Sequence, residues 1–180
     1  MSALVAAEDV ASQVQIDIFE AVNPLKAILY TGNGRCNLSN NIHDFKELAS
    51  KYPRGEKFLY SVFSRFGVAE TLEFFNSRGL KTYVQPDGRV FPKTNSAATV
   101  RDFFLTKTSQ KEVKIISAVV EHVSRKSDIF TIKSGTGAFE YDVLVIATGG
   151  NRKKSCSGYK LAEALGHTIT ELRPSLTSLT

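Results

Sequence analysis

Residues Val143–Gly150, VLVIATGG, constrain the fold more than any other stretch. The run from Val143 to Ala147 is apolar without a break and ends in a small-residue turn. A strand with one wet face alternates apolar and polar side chains. A continuous run fits a strand buried on both faces, as in a parallel sheet covered by helices.

The patterns around it agree with that class. Residues 1–12 read as a helix, with Met1, Leu4, Val5 and Ala11 near one face. VQIDIFE sets Val14, Ile16 and Ile18 against Gln15 and Asp17, and reads as a strand ending at Glu20. A helical insert is predicted over about 42–79 from the 3.6-residue period of its apolar positions. Phe58, Leu59, Val62, Phe63 and Phe66 form one repeat there, and Val68, Leu72 and Phe75 another. Gly67 separates the two and Gly79 closes the second. These aromatic residues are expected in a core rather than around a cofactor.

Leu80–Val84 reads as extended, QPDGR as a turn, and Ser96 as the cap of a helix over 97–107. VKIISAVVEHV, DIFTIK and FEYDVLVIATGG follow as strands, with SGTG as a hairpin-like turn between the last two. After a basic loop, a helix runs from Gly158 to Leu165 and Gly166 closes it. The order indicates an α/β protein with a parallel central sheet and an antiparallel meander.

At 180 residues, 42% hydrophobic and 23% charged, the chain suits one domain with an ordinary core. The net charge of +5 permits anionic ligands, but the lysines are scattered. The densest cluster, Arg152–Lys154, is short and reads as a solvated loop. It lacks interleaved aromatic residues, so nucleic acid is not an expected partner. Cys36 and Cys156 lie far apart with no zinc-type spacing, so no metal is expected and a reducing compartment is the simplest assignment. No apolar run approaches membrane-spanning length, and the N-terminus lacks a basic n-region. Cytoplasm follows by elimination. His43, His122 and His167 are isolated and read as surface or packing residues.

The stretch TGNGRCNLSN, Thr31–Asn40, is the densest in turn and functional residue types. Gly32 and Gly34 open like G-x-G-x-x-G, but position 37 is Asn and the context of a strand before and a helix after is not met. The phosphate loop G-x-x-x-x-G-K-[ST] is absent, and no His lies close to Cys36 to activate a thiol. What remains is a turn whose glycines allow close backbone approach, with Arg35 as an anion donor and Asn37 as a polar clamp. Glu20 admits two readings. It fits an acid that accepts hydrogen bonds from a ribose at a strand end, and it equally fits a solvated carboxylate.

TGNGRCNLSN, GRVFP, YDVLVIATGG and GYKLAEALGHTITELRPSL occur in that order over nearly the whole chain. Together they resemble the HI0933-like family of flavoproteins, NAD(P)/FAD-dependent oxidoreductases. The resemblance implies an FAD/NAD(P)-binding Rossmann-like fold, incomplete over 1–180, whose opening strand and G-x-G-x-x-G turn would precede Met1. It implies that Glu20 is the adenosine ribose acid. It places Gly34, Arg35, Cys36 and Asn37 near the flavin. Val120 matches a backbone contact to adenine, and Ala147, Thr148 and Gly149 match a turn approaching the cofactor. Two loops depart from the family pattern: NPLKAILY lacks the usual Gly-Arg, and NRKKSCSGY is short and basic.

The expected function is therefore a flavoprotein oxidoreductase, in fragment or truncated form. It would pass hydride from NAD(P)H through FAD to an unknown acceptor. The flavin carries the redox chemistry, so no side-chain triad is required. The alternative is a non-catalytic remnant or protein-interaction module. Unpaired strand edges would favour self-association.

Overall fold

The computed structural model describes residues 1–9, 14–21, 23–111, 113–149 and 158–172. The basic loop with Arg152–Lys154, Gly150, Cys156, and the end of the helix expected over 1–12 lie outside these residues. In chain order the elements are α1 (Ser2–Asp9), β1 (Asp17–Glu20), a 3₁₀ stretch (Lys26–Gly34), β2 (Ser39–Asn40), α2 (Phe45–Ser50), α3 (Glu56–Phe63), α4 (Val68–Ser77), β3 (Thr82–Val84), β4 (Arg89–Pro92), α5 (Ala97–Gln110), β5 (Lys114–Ser117), β6 (Val120–Lys126), β7 (Ile129–Ser134), β8 (Gly137–Tyr141) and α6 (Gly158–Ala164). They divide into two compact units, Met1–Ile18 with Asn23–Lys114, and Phe19–Val22 with Ile115–Thr180.

β1 pairs with β5. Lys114 N donates to Ile16 O at 3.0 Å and Ala118 N donates to Glu20 O at 3.2 Å. Both members advance together by the same number of residues, which is a parallel ladder. The expected parallel sheet is present as this two-stranded pair, and the antiparallel meander is present too, in a mixed α/β fold.

In the first unit, β4 is the centre of a three-stranded antiparallel sheet in the order β2-β4-β3. The β3–β4 turn is QPDGR, where Gly88 takes φ 81° and its N donates to Gln85 O at 2.9 Å. α4 buries Val68 and Phe75 of the predicted repeat and leaves Leu72 half-buried, and it also buries Phe74, which lies outside that repeat. It starts where Gly67 N donates to Glu70 Oε2 at 2.8 Å, and stops at Gly79, with φ 97°. Phe74 and Phe75 join Leu4, Leu80, Ala97, Val100 and Cys36 in the core, and Phe103 and Phe104 of α5 pack against it.

Two expectations fail in this unit. Ser96 precedes α5 but makes no side-chain capping bond. The first aromatic repeat is also not all core. Phe58 is 73% exposed, and Val62 and Phe66 are exposed too. α3 carries apolar residues on both sides and turns one of them inward, where Phe63 meets the Tyr52 ring at 5.6 Å.

α1 is tied to the C-terminal end of α4 by an ion pair between Glu8 and Arg78, the residue after the helix, whose Nε donates to both carboxylate oxygens at 3.1 Å. The hydrogen bond from Arg78 holds the Glu8 carboxyl below its usual value of 4.5. A depressed folded-state value stabilises above the unfolded value and is lost as pH falls. Glu8→Gln should therefore be less stable than the parent at neutral pH. The two thermal midpoints should converge as pH drops below 4.5. Parallel curves across that range would show that the pair does not contribute.

In the second unit, β6, β7 and β8 form the antiparallel meander, turning between the last two at Ser134–Gly137 as expected. Val123 and Ile132 are its buried centre. Phe19 of β1 packs edge-on against Phe139 at 5.2 Å and Tyr141 at 6.3 Å. α6 ends as predicted: Gly166 takes φ 87° and its N donates to Glu163 O at 2.9 Å.

The run VLVIATGG behaves differently from its prediction. Residues 143–149 belong to no ladder among the described residues. Val143 is 76% and Val145 63% exposed, whereas Leu144 and Ile146 are half-buried. The segment is thus covered on one side, where Gly158 at the start of α6 lies against Ile146 and Thr148.

Candidate cofactor site

The TGNGRCN loop closes the 3₁₀ stretch through an unusual run of left-handed backbone. Gly32, Asn33, Gly34 and Cys36 have φ of 54°, 56°, 77° and 60°. For Asn33 and Cys36 this conformation is uncommon and costs energy. The surrounding bonds hold it. Cys36 N donates to Thr31 O at 3.0 Å and Arg35 N to Gly32 O at 3.3 Å, and the Cys36 side chain is buried in the core. The following residues are fastened to β4. Leu38 N donates to Val90 O at 2.8 Å. With its amide nitrogen turned toward β4, Asn37 donates to Val90 O at 3.1 Å and Ser39 O at 2.8 Å. In this orientation the Asn37 side chain holds main chain of β2 and of β4.

Gly32 is required by space as well as by φ. A Cβ there would stand 2.6 Å from Asn37 N and 3.1 Å from Phe91 Cε1. At Gly34 a Cβ would meet nothing within 4 Å, so only the φ of 77° favours glycine. Arg35 Nε points to Gly32 O at 3.4 Å, and its Cζ lies 4.1 Å from the centroid of the Phe91 ring. GRVFP, a motif without a role in the sequence, is therefore the floor of the TGNGRCN loop.

The other predicted residues lie in the second unit. Glu20 is half-buried at the end of β1, where its carbonyl accepts from Ala118 N two residues before Val120. Val120 opens β6 opposite Ser134, ahead of a register irregularity at Val120/His122. Ala147, Thr148 and Gly149 are exposed, and Gly149 takes φ 75° with open space where a Cβ would stand. These three, with Gly158, Tyr159 and His167, line a pocket of about 600 Å³. Gly158 is the residue that sequence reasoning missed. A Cβ on it would overlap Thr148 Oγ1 and come within 2.9 Å of Ile146 Cγ2. The signal for it is the glycine at the start of a helix just beyond the A-T-G turn.

Among the described residues, no group of His, Cys, Asp and Glu is arranged to hold a metal ion. No helix among them is long and apolar enough to cross a membrane.

A parallel pair and an antiparallel meander with helices, and a small-residue turn beside a pocket, are compatible with a Rossmann-type domain. Residues 1–174 match the HI0933-like protein Rossmann domain, and the chain belongs to that family. It is 37% identical, over 98% of its own length and 44% of the relative's, to 3-dehydro-bile acid delta(4,6)-reductase of Clostridium scindens. It is 27% identical, over 87% of its length and 40% of the relative's, to ribosomal RNA dihydrouridine synthase of Escherichia coli. The chain thus spans less than half of each of these curated relatives.

Proposed function

We propose that residues 1–180 are the Rossmann-type part of a flavin-dependent reductase that draws on NAD(P)H and reduces an unsaturated small molecule. The observation that carries this reading is the 37% identity to a bile acid reductase along nearly the whole chain. The residues present fit the cofactor in kind. Gly149 combines left-handed backbone with open space at the rim of the pocket, which suits close approach of a ligand. Glu20 brings a half-buried carboxylate to a strand end, where an acid can accept from ribose hydroxyls. FAD, when bound, supplies two-electron hydride transfer between the nicotinamide and the acceptor.

In this reading the chain binds and orients rather than reacts. Glu20 holds the adenosine ribose, Val120 offers backbone to adenine, and Ala147–Gly149 let the cofactor approach main chain. Gly34–Asn37 serve the flavin side. The test is anaerobic spectroscopy of the purified protein carrying this chain. Flavin absorption should bleach on adding NADH or NADPH and return on adding an α,β-unsaturated ketone. A protein without flavin that takes up none when FAD is added would remove this reading. It would leave a non-catalytic interaction module, which the exposed Val143 and Val145 favour.

A further inference from the structure

We propose that Phe91 is a positioning residue for Arg35: its buried ring holds the guanidinium over the TGNGRCN loop with both terminal nitrogens open, and the seat so formed takes an oxyanion of the phosphate class. The proposal rests on the reading that this loop faces a phosphate-bearing cofactor.

The ring does most of the holding. Among the described residues the Arg35 side chain has one other contact of note, the long bond from Nε to Gly32 O at 3.4 Å. Its Cζ sits 4.1 Å from the Phe91 centroid, a distance at which the ring quadrupole attracts a cation. Phe91 itself is fixed. It is fully buried in β4, pairs with Tyr83 across the hairpin, and abuts the position where a Cβ on Gly32 would stand.

Among the described residues, no hydrogen bond or ion pair engages the terminal nitrogens of Arg35. The other cation near this ring, Arg89, has its Cζ 5.6 Å from the centroid and is already committed to Asp87 through Nε at 2.8 Å and Nη2 at 2.7 Å. Arg35 is therefore the open charge of the pair. A planar fork with free N–H groups matches two oxygens of one anion, and stacking fixes the plane of that fork before the ligand arrives.

Inorganic pyrophosphate and, separately, FAD would be titrated calorimetrically at low salt into the parent protein, Arg35→Ala, Arg35→Lys, Phe91→Leu and the Arg35→Ala/Phe91→Leu double variant. Arg35→Ala should weaken pyrophosphate binding about ten-fold or more. Phe91→Leu should weaken it about five-fold, the worth of a cation–π contact. Phe91→Leu should have no further effect once Arg35 is alanine, which a merely structural role would not produce. The side-chain proton resonances of Arg35 should lose their ring-current shift in Phe91→Leu. Arg35→Lys leaves the core untouched and keeps the charge but not the fork, so it should also weaken binding. Equal losses from Phe91→Leu in both backgrounds, or a lysine that binds as tightly as arginine, would overturn the seat. If pyrophosphate binding depends on Arg35 but FAD does not bind, the seat stands and the flavin reading falls. FAD binding undiminished by Arg35→Ala gives the reverse.

Discussion

Gly32→Val is expected to destabilise the first unit more than any other single substitution proposed. Two independent costs add at that position. A β-branched residue at φ 54° is a steric outlier, and left-handed backbone alone costs roughly 1–2 kcal/mol for an ordinary residue. The new Cβ would also stand 2.6 Å from Asn37 N. That atom cannot retreat cheaply, because the Asn37 amide and Leu38 N are both bonded to Val90 O. Together the loss should be on the order of 3–4 kcal/mol, within the range reserved for a named mechanism of this kind. The thermal midpoint should fall by more than about 10 °C. Gly34→Ala is the internal control. It shares the left-handed φ but has open space, so its cost should stay near about 1 kcal/mol. Equal midpoints for the two variants would show that the close approach to Asn37 carries no weight.

Gly158→Val should have the second-largest effect, confined to the other unit. α6 begins at Gly158, directly on Thr148 and Ile146 of the extended segment. Any side chain there pushes the helix away from the A-T-G turn and disrupts the pocket wall. Overpacking of this sort costs typically about 1–3 kcal/mol, and a clash with both a β-branched side chain and a hydroxyl belongs at the upper end. Hydrogen exchange should show the amides of α6 losing protection while those of α4 and α5 keep theirs. Adding Thr148→Gly to Gly158→Ala should restore part of that protection, because the overlapping Oγ1 is then gone. Unchanged exchange in Gly158→Val would mean that α6 is not seated on Thr148.

The sequence was most legible where pattern and environment coincide. α4 has an apolar stripe closed by Gly79, and two of its three residues, Val68 and Phe75, are buried, with Phe74 beside the stripe buried as well. α3 has apolar residues around more of its circumference, so periodicity alone does not say which side meets α2. Phe58 and Val62 face water as a result. The A-T-G run shows the same gap for strands. Five apolar residues specify that a segment can be buried on both faces, but what covers each face is a tertiary matter, and α6 covers only one. Ser96 was the right residue type in the right place, yet type does not fix the rotamer that makes the bond. At the candidate site, the glycines of TGNGRCN announced tight backbone. That Arg35 would rest on Phe91 could not be read from either motif, because a contact between distant segments leaves no local period.

The assignment of cofactor stands or falls on FAD binding and its dependence on Glu20. FAD should be titrated into the protein carrying this chain, its flavin removed beforehand, and followed by flavin fluorescence with Glu20→Ala and Glu20→Gln beside the parent. Charge-assisted hydrogen bonds to ribose hydroxyls are worth roughly 1.5–3 kcal/mol each, so Glu20→Ala should weaken binding about ten-fold or more, and Glu20→Gln less. Saturable binding with that order of affinities is the expected result. An absence of saturable binding in the parent, or one affinity shared by all three proteins, would contradict it.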